Sequence, residues 1–285
     1  MLALCVVALV VVEAALIAPG HVLAGQIADG VLLLVLLNFR GRSGEHSWSA
    51  RERGVPAAMR ALALVPLARV LAAGLPLGHF SEALNELIVV LPVGFAAVRL
   101  APIVGVSVRR LVQARLDRNG AGTVVIGAVL GLVAYLLGAP PLVPAGAGAG
   151  RIAVAVVAVS AVAVVEELVF RGLVQITLQR VAGRIGLVAA TCLFASTYLS
   201  AGPAPLVLTV ALAGVVFARA VARTGLLGGA IAGHWALTLG AVVVWPALLG
   251  RSHPTWLEGG LTTTGLALLV AAATLAAIRR PPVAP

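Results

Sequence analysis

Three ionisable residues lie inside one of the most apolar stretches of the chain. Glu166, Glu167 and Arg171 interrupt a run of Ala, Val and Leu that begins near Ala153. An ionised side chain near the bilayer centre costs about 2.5–3.5 kcal/mol on insertion scales. On a helix Glu167 and Arg171 share a face and can pair, whereas Glu166 points about 100° away and is free to face a cavity. This pattern favours a functional site over an ion pair that only locks helices together.

Two further polar residues, Tyr198 and His234, lie in later apolar segments. Glu166 and Tyr198 are each 14 residues from the arginines that flank the turn between their helices, which corresponds to roughly 21 Å of helix. His234 follows Arg223 by 11 residues, or roughly 16 Å. The spacing therefore predicts that these three side chains, on three helices, converge on one layer.

Composition determines the class of protein that carries these residues. The chain is 61% hydrophobic and 11% charged, whereas a soluble domain has about 25% charged residues. Aromatic residues make up only 4%, which argues against a β-barrel with aromatic girdles, and the continuous apolar runs favour helices. The sequence predicts an all-α, polytopic transmembrane helical bundle of about 8–10 spans in the cell membrane.

The sequence contains ten predicted spans. They lie near 2–18, 22–38, 56–75, 82–105, 121–138, 152–178, 186–200, 204–219, 226–249 and 259–278. The third is interrupted by Arg60 and Arg69, so an interfacial position is an alternative for it. With the N-terminus cytoplasmic, nearly all loop arginines fall on the cytoplasmic side. The net charge of +10 is thereby explained without a nucleic-acid partner.

A link rich in Gly, Pro and Ala at 139–150 separates the predicted units. We expect N-terminal transmembrane helices at 1–138, a core at 150–245, and a last transmembrane helix with a cytoplasmic tail at 259–285. Within these units Glu13, Asp29 and Arg99 are expected to pair across helices. The GxxxG pair Gly127 and Gly131 predicts close helix packing.

Three motifs in order resemble the CPBP (Abi) family of intramembrane glutamic proteases. That family includes the type II CAAX prenyl endopeptidases and bacteriocin-processing and immunity proteins. EELVFRG at 166–172 matches the family's EExxxR motif, FASTY at 194–198 corresponds to FxxxH, and HWALT at 234–238 corresponds to HxxxN or HxxxD. Tyr198 and Thr238 stand where the family has His and Asn or Asp. The resemblance covers roughly residues 150–245.

The resemblance implies a glutamate-dependent endopeptidase that cleaves a membrane-associated peptide or protein without a metal or cofactor. Glu166 would be the general base that activates a water, and Glu167 and Arg171 would orient it. His234 and the third-motif residue would stabilise the oxyanion. A phenol has an ordinary pKa near 10, so Tyr198 would donate a hydrogen bond instead of shuttling a proton, and the Thr238 hydroxyl would replace an amide donor.

Several alternatives remain open at this stage. The altered second and third motifs also fit a catalytically degenerate family member that acts as a membrane scaffold or immunity protein. A proton-coupled transporter could use Glu166 and His234 as a relay. A zinc site at Glu166, Glu167 and His234 is weakly supported, since the chain has no HExxH motif and no Cys/His cluster. Glu82 and Glu86 fit the outer end of a span or an outer vestibule. The substrate, its prenylation and the oligomeric state stay undetermined.

Overall fold

Every regular element in the described part of the molecule is a helix, as the sequence predicts. The computed structural model describes residues 1–39, 50–74, 81–112, 118–143, 146–200 and 204–249. The predicted span at 259–278 and the predicted unit at 259–285 lie outside these residues. Among the described residues, five helices are long and apolar enough to cross a membrane: Gly54–Ala72, Glu82–Leu100, Ala149–Ala182, Ala204–Thr224 and Gly228–Leu249. The chain is therefore a multi-pass membrane protein.

The helices follow one another with short connections. In chain order they are α1 (Leu2–Val12), α2 (Val22–Leu37), α3 (Ala50–Leu62), α4 (Leu64–Gly74), α5 (Glu82–Leu100), α6 (Val108–Leu111), α7 (Arg118–Leu136), α8 (Ala149–Glu166), α9 (Ile176–Ala182), α10 (Arg184–Ser196), α11 (Ala204–Thr224), α12 (Gly228–Leu239) and α13 (Trp245–Leu249). Within the described residues, three wide π-helical turns continue α1, join α8 to α9 and join α12 to α13, at Glu13–Ile17, Glu167–Gln175 and Gly240–Val244.

Hydrogen bonds between residues at the ends of different helices show which helix ends lie together. Arg180 donates hydrogen bonds to the backbone oxygens of Val104 and Gly105, each at 3.0 Å. Elsewhere the amide of Leu227 donates to Leu111 at 2.8 Å. The distribution of arginines predicts that the turns near Val104, Arg180 and Leu227 all lie on the cytoplasmic side of the membrane. Both contacts agree with that prediction, because each joins two of these turns.

Close packing of α7 on α12 depends on small residues in both helices. A Cβ atom added to Gly127 would collide with the backbone oxygen of Gly233, and one added to Gly131 would collide with that of Leu237. The GxxxG pair therefore lets two backbones touch. Because α12 carries His234, these glycines also set how deeply that imidazole enters the bundle.

A buried ion network joins three N-terminal helices, and the predicted arginine partner is wrong. Arg69, not Arg99, lies between the acidic residues: its Nε is 3.0 Å from Glu13 Oε2, and its Nη1 is 3.5 Å from Asp29 Oδ1. Arg99 is exposed on α5. Spacing along the chain could not reveal this choice, since the partners are brought together only by the packing of α1, α2 and α4. We call Glu13, Asp29 and Arg69 the N-terminal network.

Candidate active site

The two adjacent glutamates lie where a long helix changes its winding. Glu166 is the last residue of α8, and Glu167 begins the π-helical turn that leads to α9. Hydrogen bonds from i to i+5 widen such a turn, which is frequent at functional sites. The Glu166 side chain is 26% exposed and lines a cavity, whereas Glu167 has no exposed surface. The two carboxylates therefore have different surroundings despite being neighbours in sequence.

Arg171 neutralises the fully buried carboxylate. Its Nη1 lies 3.1 Å from Glu167 Oε1, which is the pairing that the sequence predicted. The guanidinium carbon also lies 3.8 Å from the centre of the Phe194 ring, in cation–π contact. Gly214 on α11 faces this group, and a Cβ there would press against Phe194 and Arg171. The arginine is thus held in one orientation by an acid, an aromatic face and a glycine.

His234 bridges the two glutamates. Its Nδ1 lies 2.9 Å from Glu167 Oε1, and its Nε2 lies 3.7 Å from Glu166 Oε2. The ring stacks on Phe217 with centroids 5.8 Å apart. An ionised Glu167 can only accept hydrogen bonds, so Nδ1 carries a proton and donates a hydrogen bond to Glu167. The other ring nitrogen, Nε2, therefore faces Glu166 across a gap slightly longer than a hydrogen bond.

Tyr198 completes the group from the turn that follows α10. Its hydroxyl donates a 2.9 Å hydrogen bond to Glu166 Oε2. Its ring packs edge-on against Phe194, with centroids 5.4 Å apart. The structure thus brings Glu166, Tyr198 and His234 to one level. We call Glu166, Glu167, Arg171, Tyr198 and His234 together the glutamate cluster.

The cluster opens into a cavity of about 540 Å³ within the described residues. Thr238, one turn after His234 on α12, also lines this cavity. The walls are mostly aliphatic, with residues such as Val90, Val162 and Val210. The cavity therefore suits an apolar chain whose polar atoms reach Glu166.

Two acidic residues that the sequence assigns either to the outer end of a span or to an outer vestibule line the cavity in the structure. Glu82 and Glu86, one turn apart on α5, line the same cavity as Glu166. An ionised Glu86 would repel an ionised Glu166 across this cavity. Their spacing of four residues placed them on one face of a span. No local signal could show that this face lies opposite a helix about 80 residues later in the chain.

Within the described residues, His, Cys, Asp and Glu side chains form no group of three or more that could hold a metal ion. The glutamate cluster itself offers two carboxylates, an imidazole and a phenol. An accessible carboxylate faces both a hydrogen-bond donor and an imidazole nitrogen, beside an apolar cavity. Such an arrangement can move a proton between a water molecule and a bound polar group.

Comparison with protein families agrees with the motifs. Residues 148–240 match the family model described as Type II CAAX prenyl endopeptidase Rce1-like. The match includes all six predicted site residues and confirms the resemblance to the CPBP family. No curated protein and no solved structure matches the chain. The α1–α7 helices lie outside the matched range, so the family match itself says nothing about the N-terminal network.

Proposed function

We propose, from the premise that residues 148–240 form a CPBP-family domain of the type II CAAX prenyl endopeptidase kind, that this protein is a glutamate-dependent intramembrane endopeptidase. Its substrate is a membrane-associated peptide or protein, and its location is the cell membrane. One observation carries the proposal: the Glu166 carboxylate is exposed to the cavity while Tyr198 and His234 approach the same oxygen.

Glu166 acts as the general base. A water in the cavity gives its proton to Glu166 while the water oxygen bonds to the carbonyl carbon of the substrate. Glu166 then passes that proton to the leaving amine as the C–N bond breaks. A positioned acid–base group of this kind typically contributes 10²–10⁴-fold to a rate.

The other members of the cluster hold this base and the developing charge. Arg171 and Glu167 hold the imidazole of His234 through its Nδ1. The distances of 3.1 Å from Arg171 Nη1 to Glu167 Oε1 and of 2.9 Å from that oxygen to His234 Nδ1 support this role. When both ring nitrogens carry protons, Nε2–H donates to the oxyanion together with the Thr238 hydroxyl. Tyr198 keeps Glu166 directed by donating to its Oε2.

The direct test is cleavage by the full chain in lipid nanodiscs. A library of membrane-associated peptides, both prenylated and unprenylated, is incubated with the protein and with Glu166→Gln. We expect cleavage to fall by about 10²–10⁴-fold in that variant, since the amide keeps the shape but cannot accept the proton. The same exchange at Glu258, outside the family domain, is the control. Equal cleavage by Glu166→Gln and the unchanged chain would refute the mechanism.

The departures at Tyr198 and Thr238 favour a second candidate, a degenerate family member that serves as a membrane scaffold or immunity protein. The hydrogen bond from Tyr198 already occupies one oxygen of the base. Restoring the family residues with Tyr198→His and Thr238→Asn separates the two functions. Under the endopeptidase proposal the unchanged chain cleaves; cleavage only by the restored variant would indicate the degenerate member.

A further inference from the structure

The segment that carries Tyr198 is attached to the N-terminal network on both sides of the tyrosine. Arg69 Nη2 donates to the hydroxyl oxygen of Ser196 at 3.4 Å. The Ser200 hydroxyl donates to Glu13 Oε1 at 3.3 Å. Ser196 and Ser200 therefore connect two helices of the N-terminal half to a segment that also reaches Glu166 through Tyr198.

The backbone of this segment does not fix the tyrosine by itself. The α10 helix ends at Ser196, and the amides of Thr197, Tyr198 and Leu199 bond to carbonyls three residues earlier, at 3.1–3.2 Å. Such single tight turns have poorer hydrogen-bond geometry than an α-helix. Attachments outside the segment can therefore add to what holds the phenol at hydrogen-bonding distance from Glu166.

The hydrogen-bond roles of the attachments are consistent. The Ser196 hydroxyl donates to the backbone oxygen of Leu193 at 2.8 Å, so its oxygen is free to accept from Arg69. Arg69 is itself anchored, because its Nη1 donates to the Leu9 backbone oxygen at 2.9 Å and its Nε pairs with Glu13. Because Arg69 is held by these contacts, its hydrogen bond to Ser196 can restrain the segment that carries Tyr198.

We propose that Arg69 and Glu13 act, through Ser196 and Ser200, as positioning residues that hold the Tyr198 hydroxyl against Glu166. The contacts that carry this inference join Arg69 and Glu13, outside the family domain, to two serines inside it. It rests on the proposed function for its effect on cleavage, but the placement of the phenol can be measured without any cleavage. It also gives the N-terminal helices a role in the site.

Tyrosine NMR tests the placement directly. The chain has only two tyrosines, so ring-¹³C-labelled protein in nanodiscs gives two sets of signals, and Tyr135→Phe assigns them. We expect Ser196→Ala combined with Ser200→Ala to shift and broaden the Tyr198 signal. Ser200→Thr, which keeps the hydroxyl, should retain it. An unchanged Tyr198 signal in the double alanine variant would overturn the proposal.

The control removes another hydroxyl from the same helix. The Thr191 hydroxyl donates to the backbone oxygen of Leu187 at 2.9 Å, within α10. We expect Thr191→Val to leave the Tyr198 signal unchanged. An equal shift in that variant would mean that any loss of a hydroxyl from α10 disturbs the tyrosine, which also contradicts the proposal.

A double-mutant cycle tests the consequence for cleavage. The double alanine variant should lower kcat about 10- to 100-fold, the range expected when a hydrogen bond to a charged group is lost, with KM little changed. In a Tyr198→Phe background the same two changes should have no further effect, because the bond that they support is already absent. Equal losses in both backgrounds would refute the coupling. If the unchanged chain cleaves nothing, the proposed function fails and the NMR result alone decides this inference.

Discussion

The N-terminal network and the glutamate cluster each place two acidic residues and one arginine inside the bundle. In the N-terminal network the side chains of Glu13 and Asp29 are 3% and 1% exposed, so its carboxylates are closed off. In the glutamate cluster one carboxylate is just as buried, but Glu166 is 26% exposed to a cavity. Buried charge alone therefore does not distinguish a structural network from a reactive site. The two regions differ in that the Glu166 carboxylate is accessible from a cavity.

The difference between the two regions also lies in what stands beside the acids. Only in the glutamate cluster do an imidazole and a phenol approach the exposed carboxylate. The N-terminal network instead uses serine hydroxyls and a backbone oxygen. The first set can take up and release protons, and the second can only hold positions. Under the proposed function the glutamate cluster performs the chemistry and the N-terminal network supports it, and the following experiments test that division.

The largest expected effect is on stability, in the N-terminal network. Arg69→Met leaves two buried carboxylates without their cation, and removing one partner of a buried ion group typically costs about 3–5 kcal/mol. Unfolding by denaturing detergent in mixed micelles measures the loss. Arg99→Met, at an exposed arginine, should change the free energy of unfolding by less than about 0.5 kcal/mol. A similar stability for both variants would mean that the network does not hold the helices together.

An intermediate effect is expected where α7 supports the glutamate cluster. Gly127→Ala places a methyl group against the Gly233 backbone, and overpacking of this kind costs about 1–3 kcal/mol. The shift of α12 should also displace His234 and reduce cleavage. Gly122→Ala is the matched control, because a Cβ there meets nothing within 4 Å. If both alanines behave alike, close α7–α12 contact is not what positions the imidazole.

The smallest expected effect concerns the acids at the opposite wall of the cavity. Glu86→Gln removes a carboxyl group that lines the same cavity as Glu166, and an exposed charge interaction is worth about 0.2–1 kcal/mol. We expect cleavage of a peptide with a basic residue to fall about two- to fivefold relative to an uncharged analogue of equal length. Parallel assays at two salt concentrations check the electrostatic origin. An unchanged ratio would assign Glu86 to the wall without a part in selecting substrates.

Sequence alone determined the helical class, most of the helix positions and the local pair of Glu167 with Arg171. These features follow from residue composition and from the 3.6-residue period of a helix, both of which are local. The same spacing also placed Glu166, Tyr198 and His234 at one depth. The family motifs were readable because their order and spacing lie within one continuous part of the chain.

Only the tertiary structure decided which distant groups meet. It chose Arg69 over Arg99 for the N-terminal network and brought Glu86 to the cavity wall. It also showed the hydrogen bond that Tyr198 donates to Glu166 and the π-helical turn that begins between the two glutamates. These outcomes depend on how helices rotate and pack against one another. That packing is set by shape and burial over the whole bundle, which no short stretch of sequence encodes.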